Sequence, residues 1–221
     1  MFVGHFGLAL ASKRVTPHLN VGILMLAAQT LDVVWPLLVL SRLEAVSIDP
    51  SNTPANPLVF EHYPYSHSLL AALLWGMAFA LVARLAKAST REAAVLAALV
   101  VSHWALDWLM HVPDLPLGLG AGRKFGLGLW QSVPASIAIE LGFLACGAWL
   151  YFRQTRARNT AGRVAMPALL LMLGLIQLAS FLGPPPPSAD AVAISALGMW
   201  LFFAIAFWAD RQRDRLASPP R

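Results

Sequence analysis

The sequence predicts an all-α fold, a polytopic transmembrane helix bundle with six spans and a short helix at the N-terminus. Three observations lead to this prediction. Hydrophobic residues make up 58% of the chain and charged residues only 12%, about half the charged fraction of a soluble domain. The apolar residues form segments long enough to cross a hydrocarbon core as helices. The basic residues lie between these segments, as is typical of membrane topology.

The elements follow in order along the chain. The apolar helix expected over 1–12 is too short to span a bilayer at about 1.5 Å per residue. Six longer segments can each cross, and they cover 19–45, 65–87, 91–112, 133–152, 166–183 and 190–209. We expect Pro36 to kink the first of these, and Pro64 fits a helix start. Stretches 47–64 and 113–131 are rich in turn-forming residues and predict loops.

The basic residues predict the orientation. Three lie on one side of the predicted bundle: Arg42, Arg123 and Lys124. Thirteen lie on the other: Lys13, Arg14, Arg84, Lys87, Arg91, Arg153, Arg156, Arg158, Arg163, Arg211, Arg213, Arg215 and Arg221. The second side is therefore expected to be cytoplasmic, together with the C-terminus. The net charge of +5 does not predict nucleic-acid binding, because these residues are distributed over the gaps between spans.

A stripe of ionisable residues marks the segment 91–112. Four residues advance a helix by about 400°, so His103, Asp107 and His111 share one face. Ionisable side chains are costly in a bilayer unless they meet a partner, a metal or water. The stripe therefore predicts a functional site.

Other ionisable residues are expected at a similar depth. His67 begins the second span at its outer end, Glu140 lies in the outer third of the fourth, and Asp114 follows the stripe in the outer loop. Asp32 lies mid-membrane, and His5 belongs to the short first helix. These residues are expected to converge on a site open to the periplasmic or external face.

A divalent metal is the first interpretation of this cluster. Imidazole and carboxylate at four-residue spacing, as in His103 and Asp107, can ligate one ion. The alternative is a hydrogen-bonded pair that only ties helices together. Similar alternatives hold for the other residues: His111 as an interfacial residue, His67 beside a helix start capped by Ser66, Asp32 as a hydrogen-bonded carboxyl, and His5 as a buried histidine. Glu140 fits a ligand, a general base or a group that orients a histidine.

Loop residues are more ambiguous. Arg123 and Lys124 could bind a phosphate or lipid headgroup, but two charges in a loop are a weak signal and a solvated loop is the simpler explanation. Glu61 and His62 are expected to be solvated unless the loop covers a metal.

The ordered set Gly4-His5, Asp32, Ser66-His67-Ser68 and Ser102-His103-xxx-Asp107 resembles the predicted membrane-bound, metal-dependent hydrolases, a family that includes a LexA-regulated inner-membrane protein. The runs 65–70, 111–117 and 126–130, with Glu140, resemble a bacterial subgroup of that family. The resemblance covers roughly residues 1–150. We expect one domain over 1–221, with the metal site within 1–150 and two additional helices within 163–210.

The resemblance implies a function. The family is distantly similar to zinc-dependent phospholipase C and single-strand nucleases, which are all-α enzymes with several zinc ions. This chain lacks their N-terminal tryptophan ligand and has few histidines, so one or two ions are expected, zinc before other divalent metals. The implied metal ligands are His5, Asp32, His67, His103 and Asp107.

The expected activity is hydrolysis of a phosphoester or ester of a membrane lipid at the outer face of a bacterial inner membrane. Asp114 or Glu140 would act as general base and His111 as a ligand-orienting residue or leaving-group acid, while Arg123 and Lys124 would bind the headgroup. Three alternatives remain: a proton-coupled transporter, a b-type haem protein with His67 and His103 as axial ligands, and a non-catalytic membrane protein with a polar His/Asp cluster.

Overall fold

The computed structural model describes residues 1–120 and 122–216, and within them the protein is mostly helical. The helices of the first half are α1 (Val3–Ser12), α2 (Val21–Ala28), α3 (Thr30–Leu40), α4 (Pro64–His67), α5 (Leu69–Leu85) and α6 (Thr90–Met110). Those of the second half are α7 (Val133–Phe152), α8 (Thr160–Leu182), α9 (Ala189–Ala196) and α10 (Met199–Arg211). A 3-10 turn over Leu129–Gln131 precedes α7.

The described residues also form three short antiparallel strand pairs between the helices. Strand β1 (Ala45–Ile48) pairs with β2 (Leu58–His62), and β3 (Leu115–Pro116) pairs with β4 (Lys124–Phe125). The third pair joins β5 (Thr155–Ala157), after α7, to β6 (Arg213–Arg215), after α10. The first two pairs lie within or beside the predicted loops 47–64 and 113–131, which are therefore more ordered than expected.

The mostly helical fold predicted from the sequence is confirmed, and its long apolar helices are compatible with an integral membrane protein. Over residues 1–120 and 122–216, four helical stretches are long and apolar enough to cross a membrane, namely α6, α7, α8 and the combined α9–α10 stretch. The pair α2–α3 makes a fifth if it counts as one span, and it is bent by 54°. Helix α5 is apolar but has only 17 residues. The count of six spans therefore remains a prediction.

The first predicted span is bent at Gln29, a break that we did not predict, and the kink expected at Pro36 remains a prediction. Gln29 has φ −104° and ψ 11°, outside the helical region, and its side-chain amide donates to the main-chain oxygen of Phe2. Contact with α1 thus supports the break. Pro36 lies within α3, which ends at Leu40 instead of continuing to residue 45.

The second predicted span is also interrupted. Ser68 adopts an extended conformation between α4 and α5, and its hydroxyl accepts the amide of Ala71 as the cap of α5. Pro64 occupies the first turn of α4, as predicted. Ser66, which we expected to be a cap, takes a different role at the site.

Helix α1 lies at the centre of the protein, with eight of its ten residues buried. It packs most closely on α7, where two glycines allow the backbones to approach: a Cβ on Gly147 would lie 2.0 Å from the main-chain oxygen of Gly7. At its C-terminal end, Lys13 forms a buried ion pair with Asp210 of α10. The short first helix is therefore a core element, and it holds His5 in a fixed position.

Candidate metal centre

The structure brings together the side chains of all five residues predicted as ligands. Asp32 Oδ1 lies 3.3 Å from His67 Nε2 and 3.6 Å from His103 Nε2. Asp107 Oδ2 lies 3.2 Å from His103 Nε2 and 3.7 Å from His67 Nε2. His5 Nε2 lies 3.2 Å from the other oxygen of Asp107. His103 and Asp107 face this cluster from buried positions, so neither is directed at lipid.

These separations suit a divalent ion. Two ligand atoms of a tetrahedral zinc, each about 2.0–2.1 Å from the ion, stand roughly 3.3–3.4 Å apart. The four distances among Asp32, His67, His103 and Asp107 range from 3.2 to 3.7 Å. The charges of the donor set also suit a divalent cation. The two carboxylates carry two negative charges, the two imidazoles are neutral, and the total balances a charge of +2.

The bend at Gln29 orients His103. Because α2 ends at Ala28, the main-chain oxygen of Ala28 is free of helical bonding, and it lies 2.8 Å from His103 Nδ1. The Nδ1–H donates to this oxygen, so the lone pair lies on Nε2. Nε2 is buried beside the two carboxylates, and within the part of the chain that the structure describes it has no hydrogen-bond partner. The same break places Asp32 in the first turn of α3, where free amides favour a carboxylate.

A relay of side chains orients His67 in the same way. The Ser66 hydroxyl donates to Glu44 Oε2 at 2.6 Å, so its oxygen accepts from His67 Nδ1–H at 2.7 Å. Glu44 Oε1 also accepts the amides of Tyr65 and Ser66, which holds the short helix α4 in place. His67 therefore presents Nε2 to Asp32 and Asp107, the arrangement expected of a metal-ligating histidine.

His111 is the third histidine with an oriented ring. It follows the last residue of α6 instead of extending its helical face, but its Nε2 still lies 3.9 Å from Asp107 Oδ2. Its Nδ1 lies 2.9 Å from Asp114 Oδ1, which also accepts the Tyr63 hydroxyl at 2.7 Å. Burial, reinforced by the Asp114 carboxylate, raises the pKa of Tyr63 well above its usual range, so this hydroxyl remains a donor.

His5 extends the cluster on the side of α1. Its ring stacks on that of His103 with centroids 3.7 Å apart, and Asp107 Oδ1 also accepts the amino group of Met1. Among the residues that the structure describes, two sets of potential ligand atoms each lie within 4.8 Å of one another: His5, His103 and Asp107, and Asp32, His67 and His103. The sets share His103, an arrangement compatible with the predicted one or two ions.

Glu140 contacts the backbone of α1 instead of a histidine. Its two oxygens accept the amides of Phe2 and Gly4, both at 2.8 Å. This contact caps the helix that carries His5. Of the roles considered for Glu140, the geometry favours a positioning role. Glu140 holds the backbone at the start of α1, and the α1 backbone in turn positions His5.

The charged loop residues stand apart from the cluster. Lys124 Nζ lies 3.5 Å from the main-chain oxygen of Glu61, and the Arg123 guanidinium lies over the Phe125 ring. Neither Arg123 nor Lys124 lines the cavity beside the cluster, and neither do Glu61 and His62, which are exposed. Contact with the headgroup through Arg123 and Lys124 remains a prediction that this geometry does not favour.

A cavity of about 630 Å³ adjoins the cluster. Its ionisable lining consists of Asp32, His67, Asp107, His111 and Glu140. Aromatic residues of the connecting segments line another part, including Phe60 of β2 and Trp130. Apolar residues of the last three helices complete the wall: Ile176, Phe181, Val192, Ala196, Met199 and Phe202. The cavity therefore joins a polar cluster to a largely apolar chamber, a combination that suits an amphipathic ligand.

Sequence reasoning missed three residues of this site. Glu44 lies at the end of a predicted span, Tyr63 precedes a proline in a predicted loop, and Gln177 lies within the most apolar region. Of the three, only Gln177 could have been recognised from the sequence, because it is an uncharged polar residue within a predicted span. The other two become recognisable once their partners, Ser66 and Asp114, are known.

Comparisons with protein-family models, with curated proteins and with solved structures found no match to this chain.

Proposed function

We propose that this chain is an integral-membrane, metal-dependent hydrolase that cleaves a phosphoester or ester of a lipid. The observation that carries the proposal is the shared orientation of His67, His103 and His111. Each has Nδ1 bonded to an oxygen outside the cluster, and each presents Nε2 to the carboxylates. A cluster that only tied helices together would not require three rings with the same free nitrogen.

The residues present fit a divalent metal, for which we propose zinc. Asp32, His67, His103 and Asp107 would hold it, with His5 available for a second ion. A bound zinc would supply Lewis-acid polarisation of a phosphoryl or carbonyl oxygen and would lower the pKa of a water molecule.

His111 is suited to proton transfer. Its Nδ1–H donates to Asp114, so Nε2 is left as the proton-accepting nitrogen facing the cluster, and His111 lines the cavity. We assign His111 the transfer of a proton from attacking water or to the leaving group. Asp114 and Tyr63 would position the His111 ring, so the contribution of Asp114 to the reaction would be made through His111. Glu140 would position α1.

A lipid substrate is supported by the cavity and by the predicted topology. The cavity has largely apolar walls from α8, α9 and α10. The basic-residue bias would place the metal cluster in the outer half of the bilayer. We therefore propose six spans, with α2–α3 and α5 also crossing, a cytoplasmic C-terminus, and a site that faces the periplasm from a bacterial inner membrane.

The first experiment measures metal in purified protein. We expect wild type to retain about one or two zinc ions per chain, and His103→Ala and Asp107→Asn to lose them. His62→Ala is the matched control, because His62 is an exposed histidine outside the cavity. Wild-type protein that binds no divalent metal would contradict the metal centre and favour the proton-coupled transporter.

The second experiment measures hydrolysis. Detergent-solubilised protein is incubated with a panel of phospholipids and polyprenyl phosphates, with and without a chelator. We expect the chelator to abolish turnover and zinc or manganese to restore it. Full turnover in demetallated protein or in Asp107→Asn would reject the mechanism. Bound metal without turnover on any lipid would favour a non-catalytic role.

A further inference from the structure

Helix α8 forms part of the largely apolar wall of the cavity, and this wall contains a polar residue, Gln177. Gln177 lines the cavity and is only 3% exposed, and its Oε1 is buried without a hydrogen-bond partner among the described residues. A buried acceptor that lacks a partner is costly, because it has given up its hydrogen bonds to water without replacing them. In a segment otherwise suited to lipid contact, such a residue points to a ligand.

The surrounding hydrogen bonds determine which amide atom is free. The Ser180 hydroxyl donates to the main-chain oxygen of Gln177, so its own oxygen is left to accept. That oxygen lies 3.3 Å from Nε2 of Gln177, which is a donor. Exchanging the two amide atoms would place two acceptors against each other. Oε1 therefore remains the free atom, and it requires a hydrogen-bond donor.

The neighbouring walls describe the rest of the ligand. Ile176 and Phe181 flank Gln177 on α8, and Val192, Met199 and Phe202 line the cavity from α9 and α10. These side chains suit a hydrocarbon chain. Trp35 of α3, one helical turn from Asp32, also lines the cavity, and its Nε1 is a buried donor without a partner. It is available to a carbonyl or phosphoryl oxygen.

We infer that Gln177 determines substrate specificity by accepting a hydrogen bond from an amide N–H or hydroxyl located between the headgroup and the hydrocarbon chain of the lipid. This inference rests on the proposed function, because it assigns the headgroup to the His/Asp cluster. The substrate class is then an amphipathic lipid whose phosphate or ester lies at the metal ligands and whose chain lies against α8, α9 and α10.

The test compares binding of two probes by the full chain in detergent. One is the phosphate monoester of N-dodecanoylethanolamine, whose amide follows the headgroup; the other is pentadecyl phosphate, a chain of equal length without the amide. We expect wild type to bind the amide lipid about 10-fold more tightly, the effect of one added hydrogen bond. Gln177→Leu should bring the ratio of the two dissociation constants close to one. Gln177→Met repeats the test with an unbranched side chain.

The controls separate this inference from the proposed function. Gln154→Leu removes an amide that donates to the main-chain oxygen of Leu150, outside the cavity, and should keep the wild-type ratio. His103→Ala should weaken binding of both probes equally and leave their ratio unchanged. Loss of metal or turnover with the ratio intact would reject the hydrolase but not the role of Gln177. Equal binding of both probes by wild type, or an unchanged ratio in both Gln177 variants, would overturn the inference.

Discussion

At the scale of single residues, the site depends on which ring nitrogen of each histidine is free. His103 is oriented by a main-chain oxygen, His67 by the Ser66–Glu44 relay and His111 by Asp114. The three partners differ chemically, yet each accepts the Nδ1 proton. All three rings therefore direct Nε2 at the carboxylates, and this common orientation favours a metal over a hydrogen-bonded cluster.

Ser66 offers the most specific test of this orientation. In Ser66→Ala, His67 Nδ1 loses its acceptor and the buried Glu44 loses a donor, so the ring is no longer held. We expect zinc affinity, measured by competition with a chelator, to fall about 10–100-fold. Ser102→Ala is the matched control, because the Ser102 hydroxyl bonds only to the main-chain oxygen of Leu99 on the helix that carries His103. Unchanged zinc affinity in Ser66→Ala would show that the relay does not orient a ligand.

At the scale of helices, breaks and close contacts position the residues of the cluster. The break between α2 and α3 frees the main-chain oxygen that holds His103 and creates the helix start that carries Asp32. The contact of α1 with α7 brings His5 to the cluster. Glu140 of α7 caps α1 near His5, and Gly147 lets the two backbones meet. In membranes, such small residues commonly allow helices to pack closely.

Two glycines on α7 provide a matched pair of variants. A Cβ on Gly147 would collide with the main-chain oxygen of Gly7, whereas a Cβ on Gly142 would meet nothing within 4 Å. Gly147→Ala should therefore displace α1 and lower the free energy of unfolding by about 1–3 kcal/mol. We also expect weaker zinc binding, because His5 and Gly4 move with α1. Gly142→Ala should match or exceed wild-type stability in the same detergent unfolding experiment. Equal stability of the two variants would contradict close α1–α7 packing.

A buried ion pair joins helices from both halves of the chain. Asp210 of α10 accepts from Lys13 at 2.7 Å, from the Tyr151 hydroxyl at 2.8 Å and from the amide of Val21 at 3.1 Å. One carboxylate therefore connects α1, α2, α7 and α10. The ion pair lies near the C-terminal end of α1, whereas His5 lies near its N-terminal end. This connection is expected to contribute to stability without contributing to metal binding.

Replacing Lys13 tests whether the ion pair contributes to stability without contributing to metal binding. Lys13→Met leaves the Asp210 carboxylate buried without its counter-ion, so we expect a loss of about 3–5 kcal/mol in the free energy of unfolding. The double variant Lys13→Met with Asp210→Asn should recover part of this loss. Arg42→Met breaks an exposed ion pair with Asp190 and should change stability little. Zinc content should be retained in any variant that remains folded. A Lys13→Met protein as stable as wild type would contradict the role of the pair.

At the scale of the whole molecule, the distribution of basic residues predicts the orientation of the site. Arg156 belongs to β5, which pairs with β6 after the last helix. Arg123 precedes β4, near the segments that surround the metal cluster. If the strand pair β5–β6 faces the cytoplasm, the metal cluster faces the opposite side of the membrane.

Cysteine accessibility tests this topology. Cys146 is first replaced by serine, and Arg123→Cys or Arg156→Cys then provides one cysteine. In intact bacterial cells, a membrane-impermeant thiol reagent should label Arg123→Cys, whereas Arg156→Cys should react only after permeabilisation. Labelling of both positions from the same side would reject the proposed topology.

The sequence by itself determined the class of protein and the principal residues of the cluster. Hydropathy, segment length and the spacing of His103 and Asp107 are local properties, and so they are readable from the chain alone. The same local signals predicted continuous spans over 19–45 and 65–87. They failed there because the breaks at Gln29 and Ser68 depend on neighbouring segments and on a side-chain cap.

Only the tertiary structure decided how the cluster is oriented and what adjoins it. Ala28 is separated from His103 by 75 residues, and Glu44 from Ser66 by 22. Such partners meet because helices bend and pack, and no periodicity in the sequence records those contacts. The same holds for Gln177, whose unpaired oxygen becomes meaningful only when α8 is seen to line the cavity beside the metal ligands. Local chemistry thus identified the residues of the cluster, whereas packing determined their geometry and the cavity that adjoins them.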